Sequence, residues 1–138
     1  MRKILLFLTI FLNSILVHSQ VTITPSTFNV TDQITITVST AAQTCNQLGT
    51  SPAKVYMHAG IGDDTNAFAF SVVGNWGQDD SVGLMTNNGN GTWSITITPS
   101  TYFGLNGTQQ ANATKLGMVF RNANGSQTLK LPPSCGDF

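Results

Sequence analysis

The segment Trp93-Ser94-Ile95-Thr96-Ile97-Thr98 alternates apolar and hydroxyl side chains without a slip. A period of two is that of a strand with one face buried and one face wet. Directly before it, Asn88-Gly89-Asn90-Gly91 strings together residues that accept positive φ, a strong hairpin signal. The same alternation recurs in Val21-Thr22-Ile23-Thr24, which stops at Pro25, and in residues 33–39, where Ile34, Ile36 and Val38 point one way. No stretch carries an apolar stripe at helical spacing over two turns.

Between these anchors the chain reads as further short strands and loops. Phe28 and Val30 suggest a short piece before Asp32, and residues 40–52 have turn composition and end at Pro52. Residues 53–59 form a strand whose Val55 and Met57 alternate with Tyr56 and His58. Residues 60–66 read as a polar loop, and residues 67–73 as a strand with Phe68, Phe70 and Val72 on one face. A loop around Trp76 follows, then a short strand over 82–85. Residues 104–115 have room for one helical turn. Residues 116–121 and 127–131 are the last strands, the second stopped by Pro132-Pro133. About seven to nine short strands at roughly ten-residue spacing predict an all-β chain, an immunoglobulin-like two-sheet β-sandwich.

The first nineteen residues stand apart. Arg2-Lys3 give a positive start, residues 4–12 an apolar run, and Val17-His18-Ser19 a small-residue cleavage site before Gln20. This is the pattern of a secretory signal peptide, and the run is short for a membrane span. The expected mature chain, residues 20–138, is one exported domain. It keeps four basic residues against six aspartates, a net charge of −2, and has no glutamate. That balance offers no basic patch for nucleic acid or an anionic membrane. Charged residues are 9% of the chain, far below the usual quarter, while hydrophobic residues are 41%, enough to build a core. In an exported chain, Cys45 and Cys135 read first as a disulfide, with two free thiols as the alternative. Closing so long a loop stabilises by roughly 4 kcal/mol in the chain-entropy account.

Few residues could carry chemistry. Glycosidic hydrolysis usually employs two carboxylates. The available pairs, Asp63-Asp64 and Asp79-Asp80, are adjacent in turn-rich loops where aspartate bonds its own backbone. No GxSxG elbow accompanies His58. The same aspartates offer hard oxygen ligands, but their spacing is not that of an EF-hand loop, and a turn role is favoured over calcium. No catalytic residue, metal or cofactor is expected. The five Asn-x-Ser/Thr sequons, at Asn29, Asn90, Asn106, Asn112 and Asn124, read as by-products of composition. Aromatic groups are more suggestive. Trp76 sits among small residues in Gly74-Asn75-Trp76-Gly77-Gln78, either open to a ligand or plugging the end of the sandwich. Trp93 falls in the inward row with Ile95 and Ile97. Tyr56 and His58 share the other face of their strand, either a plain polar surface or a ligand groove.

Residues 53–131, with their VYMH strand, VGNWGQDD loop, GTWSITI strand and MVFRNANGS strings, resemble a small exported β-sandwich module. It is the module that precedes the catalytic barrel in secreted α-amylase-type enzymes of Bacteroidetes. That module is similar to starch-binding modules of carbohydrate-binding family 26, which carry a VYxH strand, a loop tryptophan and a G-x-W-x-x-x-[IVL] strand. The resemblance implies a secreted, non-catalytic binder of starch or maltooligosaccharides, accessory to a glycoside hydrolase, in a longer enzyme or as a free-standing module. It implies Trp76 and His58 as ligand contacts, then Tyr56, with Gln78 and Asp79 as nearby hydrogen-bonding groups, and Trp93 as the structural tryptophan. The rival expectation is a structural or adhesive spacer domain.

Overall fold

A computed structural model describes residues 20–41 and 44–138. The expected signal peptide lies outside those residues. The strands are β1 (Val21–Thr24), β2 (Ile34–Ser39), β3 (Tyr56–Gly62), β4 (Ser71–Val73), β5 (Thr86–Gly89), β6 (Thr92–Ile97), β7 (Lys115–Arg121) and β8 (Thr128–Leu129). Two short helices, α1 (Pro99–Tyr102) and α2 (Gly107–Asn112), separate β6 from β7. The strands form two four-stranded antiparallel sheets, ordered β1-β2-β6-β5 and β4-β3-β7-β8.

The alternating segments behave as their period requires. β2 and β6 pair with Ile34 opposite Ile97, Ile36 opposite Ile95 and Val38 opposite Trp93, so one row of apolar side chains faces inward. The second sheet answers with Met57, Ala59 and Ile61 from β3 and Met118 and Phe120 from β7. Both rows join in one buried core that also takes Phe103 and Leu105 from the helical insert. Side chains interdigitating between two such inner faces are what hold a β-sandwich together. Trp93 is only 4% exposed, as its place in the row demands.

Four boundaries differ from the sequence reading, the simplest being the last strand, expected over 127–131 and found only at Thr128–Leu129. β3 begins at Tyr56 and runs on through Gly60-Ile61-Gly62, which composition suggested was loop. Only Ser71–Val73 of the expected 67–73 strand pairs, because residues 67–70 cross over the sheet instead. The expected 82–85 strand is an isolated bridge between Leu84 and Tyr56, and pairing resumes at Thr86. The hairpin turn is therefore Asn90-Gly91, both at positive φ (52° and 70°). Phe28 and Val30 lie outside any strand but pack against the core. α2 supplies the expected helical turn, and Asn106 and Gln109 cap it reciprocally, each side chain accepting the other's backbone N–H at 3.0 Å.

Cys45 and Cys135 are joined, with Cα atoms 5.2 Å apart. The bond clips the chain after β8 to the loop that follows β2. Beyond it, Phe138 exchanges two backbone hydrogen bonds with Met118 and sets its ring against Phe120.

Candidate functional site

The outer face of the second sheet is built from three ranks of paired residues. Tyr56 lies opposite Arg121, His58 opposite Val119, and Gly60 opposite Gly117. Each rank is covered by a segment folded back over the sheet. The two glycines make the first cover possible. A methyl group on Gly60 would lie 2.1 Å from Phe68 Cδ1, and one on Gly117 would lie 2.6 Å from Phe68 Cε2. Glycine within a strand often marks such a close approach. The Phe68 ring fills the space, and this is why residues 67–70 leave the sheet.

The middle rank carries Trp76. Its ring stands edge-to-face on His58, with centroids 5.3 Å apart and planes at 86°. On the other side, Gly125 presses so close that a Cβ there would be 2.7 Å from Trp76 Nε1. The indole is nevertheless 48% exposed. It is held between His58 and Gly125 while about half of its surface stays open to solvent.

The last rank anchors the loop that bears Trp76. Arg121 is fully buried, with its guanidinium 4.6 Å from the centre of the Tyr56 ring. One terminal nitrogen donates to the carbonyls of Asn122 and Ala123, both at 2.9 Å. The other donates to Asn75 at 2.8 Å and Gln78 at 3.1 Å. Tyr56 donates its hydroxyl to Asp79, whose carboxylate also accepts from Lys54 Nζ at 2.7 Å. The Lys54 bond, then the Tyr56 bond, hold the Asp79 carboxyl below its ordinary range. The same Asp79 bond, then burial, push the Tyr56 phenol up, so it stays protonated and keeps donating. Asp80 closes the loop, accepting from the Asn75 amide at 2.5 Å and from the Val82 N–H at 3.0 Å.

These contacts sort the five residues expected from sequence. Trp76 and His58 come together at the surface. Gln78 is exposed beside them, with its carbonyl held by Arg121. Asp79 is half-exposed, but its carboxylate is already engaged by two partners. Tyr56 lies on the expected face, yet its buried ring sits beneath the loop and has no surface to offer a ligand. Arg121, Phe68 and Gly125 were not among the residues singled out from sequence. For Arg121 the available signal was a cation ending the apolar run of residues 116–120, on the same outward parity as Gly117 and Val119. Beside the loop, Lys54, Asp79, Asn124 and Gln127 line an open groove of about 430 Å³.

The other acidic pair, Asp63-Asp64, is engaged in structural hydrogen bonds. Asp63 accepts from the Thr65 hydroxyl and from the Thr65 and Asn66 N–H groups, which lowers its pKa. Asp64 accepts from the Thr114 hydroxyl at 2.8 Å. Among the described residues, no three His, Cys, Asp or Glu side chains gather as a metal site.

No curated protein matches the chain. A family described only as a domain of unknown function, DUF8578, matches residues 21–129, from the first residue of β1 to the last of β8. That span takes in both sheets and the loop carrying Trp76, and the chain belongs to this family.

Proposed function

We propose that this domain is a non-catalytic carbohydrate-binding module, exported and directed to α-glucans such as starch or maltooligosaccharides. The observation that carries the reading is Trp76, a half-exposed indole held between His58 and Gly125 on a packed sheet face. Sugar rings present flat C–H faces that stack on such a surface, and their hydroxyls exchange hydrogen bonds with polar neighbours. Gln78 supplies an exposed amide in the same loop, Asn124 and Gln127 line the groove beside that loop, and Asp79 supplies a carboxylate already oriented by Lys54. The disulfide accords with an oxidising, extracellular location. With one exposed aromatic among the described residues, binding of millimolar to tens of micromolar strength is expected, roughly 4 to 7 kcal/mol.

Affinity electrophoresis tests this directly. The protein should be retarded in gels containing starch, pullulan or glycogen, and Trp76→Ala should abolish the retardation while the melt stays near that of the parent. Truncating an aromatic anchor commonly costs about 2 kcal/mol, or thirtyfold in affinity. Parent protein that runs unretarded in all three gels overturns the α-glucan reading. The rival, a spacer domain, then gains. It draws support from the strand order, β1-β2-β6-β5 and β4-β3-β7-β8, which we read as immunoglobulin-like.

A further inference from the structure

We propose that Arg121 is the positioning residue of the Trp76 platform, setting the loop's readiness to bind without touching any ligand. The inference builds on the reading of Trp76 as the contact surface, but its geometry stands apart from the identity of the ligand. Two separate segments set where the indole lies against His58: the loop from Gly74 to Gly83, which carries it, and the turn after β7, whose Gly125 presses on it. Arg121 lies under both. Its fork reaches Asn75 and Gln78 on either side of Trp76, and Asn122 and Ala123 at the start of the turn. One rigid plane therefore fixes the distance between the two segments.

The arrangement is demanding. A guanidinium with no exposed surface has given up its water, and its Nε has no hydrogen-bond partner. It is compensated by four carbonyls, by the face of Tyr56, and by Asp79 held close through Tyr56. A lysine could not reproduce this arrangement, because a single ammonium cannot span two pairs of carbonyls in one plane.

The platform's order can be read separately from ligand binding. Protein labelled with 5-fluorotryptophan gives two fluorine resonances, assigned by Trp76→Phe, and the Trp93 resonance reports the core in the same sample. In Arg121→Lys and Arg121→Met, the Trp76 resonance should narrow and move toward that of free fluorotryptophan, while the Trp93 resonance keeps its position. Affinity in starch gels should fall about tenfold if the loop then keeps its binding geometry in one molecule of ten. Tyr56→Phe, which keeps the ring under Arg121 and removes only the bond to Asp79, should move the Trp76 resonance the same way by less. It decides the matter if both Arg121 variants fail to fold. An unmoved Trp76 resonance in every folded variant overturns the proposal. A mobile Trp76 in Arg121→Lys, together with parent protein that binds no glucan, sinks the α-glucan reading and leaves this one standing.

Discussion

The outer faces of the two sheets solve the same problem in opposite ways. On the first sheet, Thr22, Thr37, Ser94 and Thr86 stand in one cross-strand rank, and Thr24, Thr35 and Thr96 in the next. Thr35 and Thr96 pair at 2.8 Å, and Ser94 donates to Asn88 Oδ1 at 3.1 Å. β-branched side chains of this kind suit a half-wet pleated surface. On the second sheet, the outward positions hold Tyr56, Arg121 and two glycines, all buried under folded-back loops. A sandwich needs only its inner rows to cohere. The outer face of the second sheet is thus where the chain adds polar burial and close packing to those inner rows, and Trp76 sits among these covering segments.

The two tryptophans give the largest expected effect. Trp93 belongs to the inner row that both sheets share, so Trp93→Ala should destabilise the whole domain by about 3–5 kcal/mol through the cavity it leaves. A thermal melt should lose its cooperative transition or shift far down. Trp76→Ala should leave the melt nearly in place. Equal losses for the two variants would mean that the loop face is as much core as the interior.

A smaller effect separates the outer faces themselves. Gly60→Ala puts a methyl into the Phe68 ring, 2.1 Å from its nearest carbon. Overpacking of this kind costs about 1–3 kcal/mol. Thr37→Val, on the threonine face, keeps the branched shape and should change stability by less than about 0.5 kcal/mol. Denaturant midpoints of the two variants measure the contrast. If they match, Phe68 moves aside freely and the cover over the second sheet is loose.

That contrast also explains what the sequence made legible. The strands of the threonine face announce themselves because one side is solvent, so period two survives in Ile23, Ile34, Ile36 and Ile95. Residues 67–73 alternate as well, yet Phe68 leaves the sheet to fill a hollow made by glycines 57 residues apart in the chain, and no local pattern encodes that. The Asn-Gly pairs located the hairpin, but composition could not tell that Asn88-Gly89 belongs to β5 and only Asn90-Gly91 turns. Trp76 was readable from its small neighbours. Tyr56 was read on the right face but one layer too high, since its cover depends on Arg121. A terminal arginine after an apolar strand reads as a solvated charge until the loop above it is known.

The smallest effect concerns acid, and it falls on the second face alone. Asp79, Asp80 and Asp63 each hold their protons less tightly than an ordinary aspartate. Lys54 leads the causes for Asp79, the Asn75 amide for Asp80 and the Thr65 hydroxyl for Asp63. A carboxylate whose folded pKa lies below its unfolded value, near 3.9, stabilises the fold above that pH. The contribution fades as pH falls from about 4 through the lower folded values. All three groups are exposed enough for water and salt to screen them, so the change should be modest. The outward ranks of the threonine face contain no titrating side chain and should not respond. Melts of the parent taken between pH 6 and pH 2.5 should decline below about pH 4, with Asp79→Asn declining less because it has lost one of the three groups. The Trp76 fluorine resonance of the parent should begin to move over the same range, as Asp79 releases Lys54 and Tyr56 beneath the loop. Identical acid profiles for parent and Asp79→Asn would show that the Lys54–Asp79–Tyr56 contact adds nothing to the folded state. Arg121 and Asp80 would then hold the loop without it.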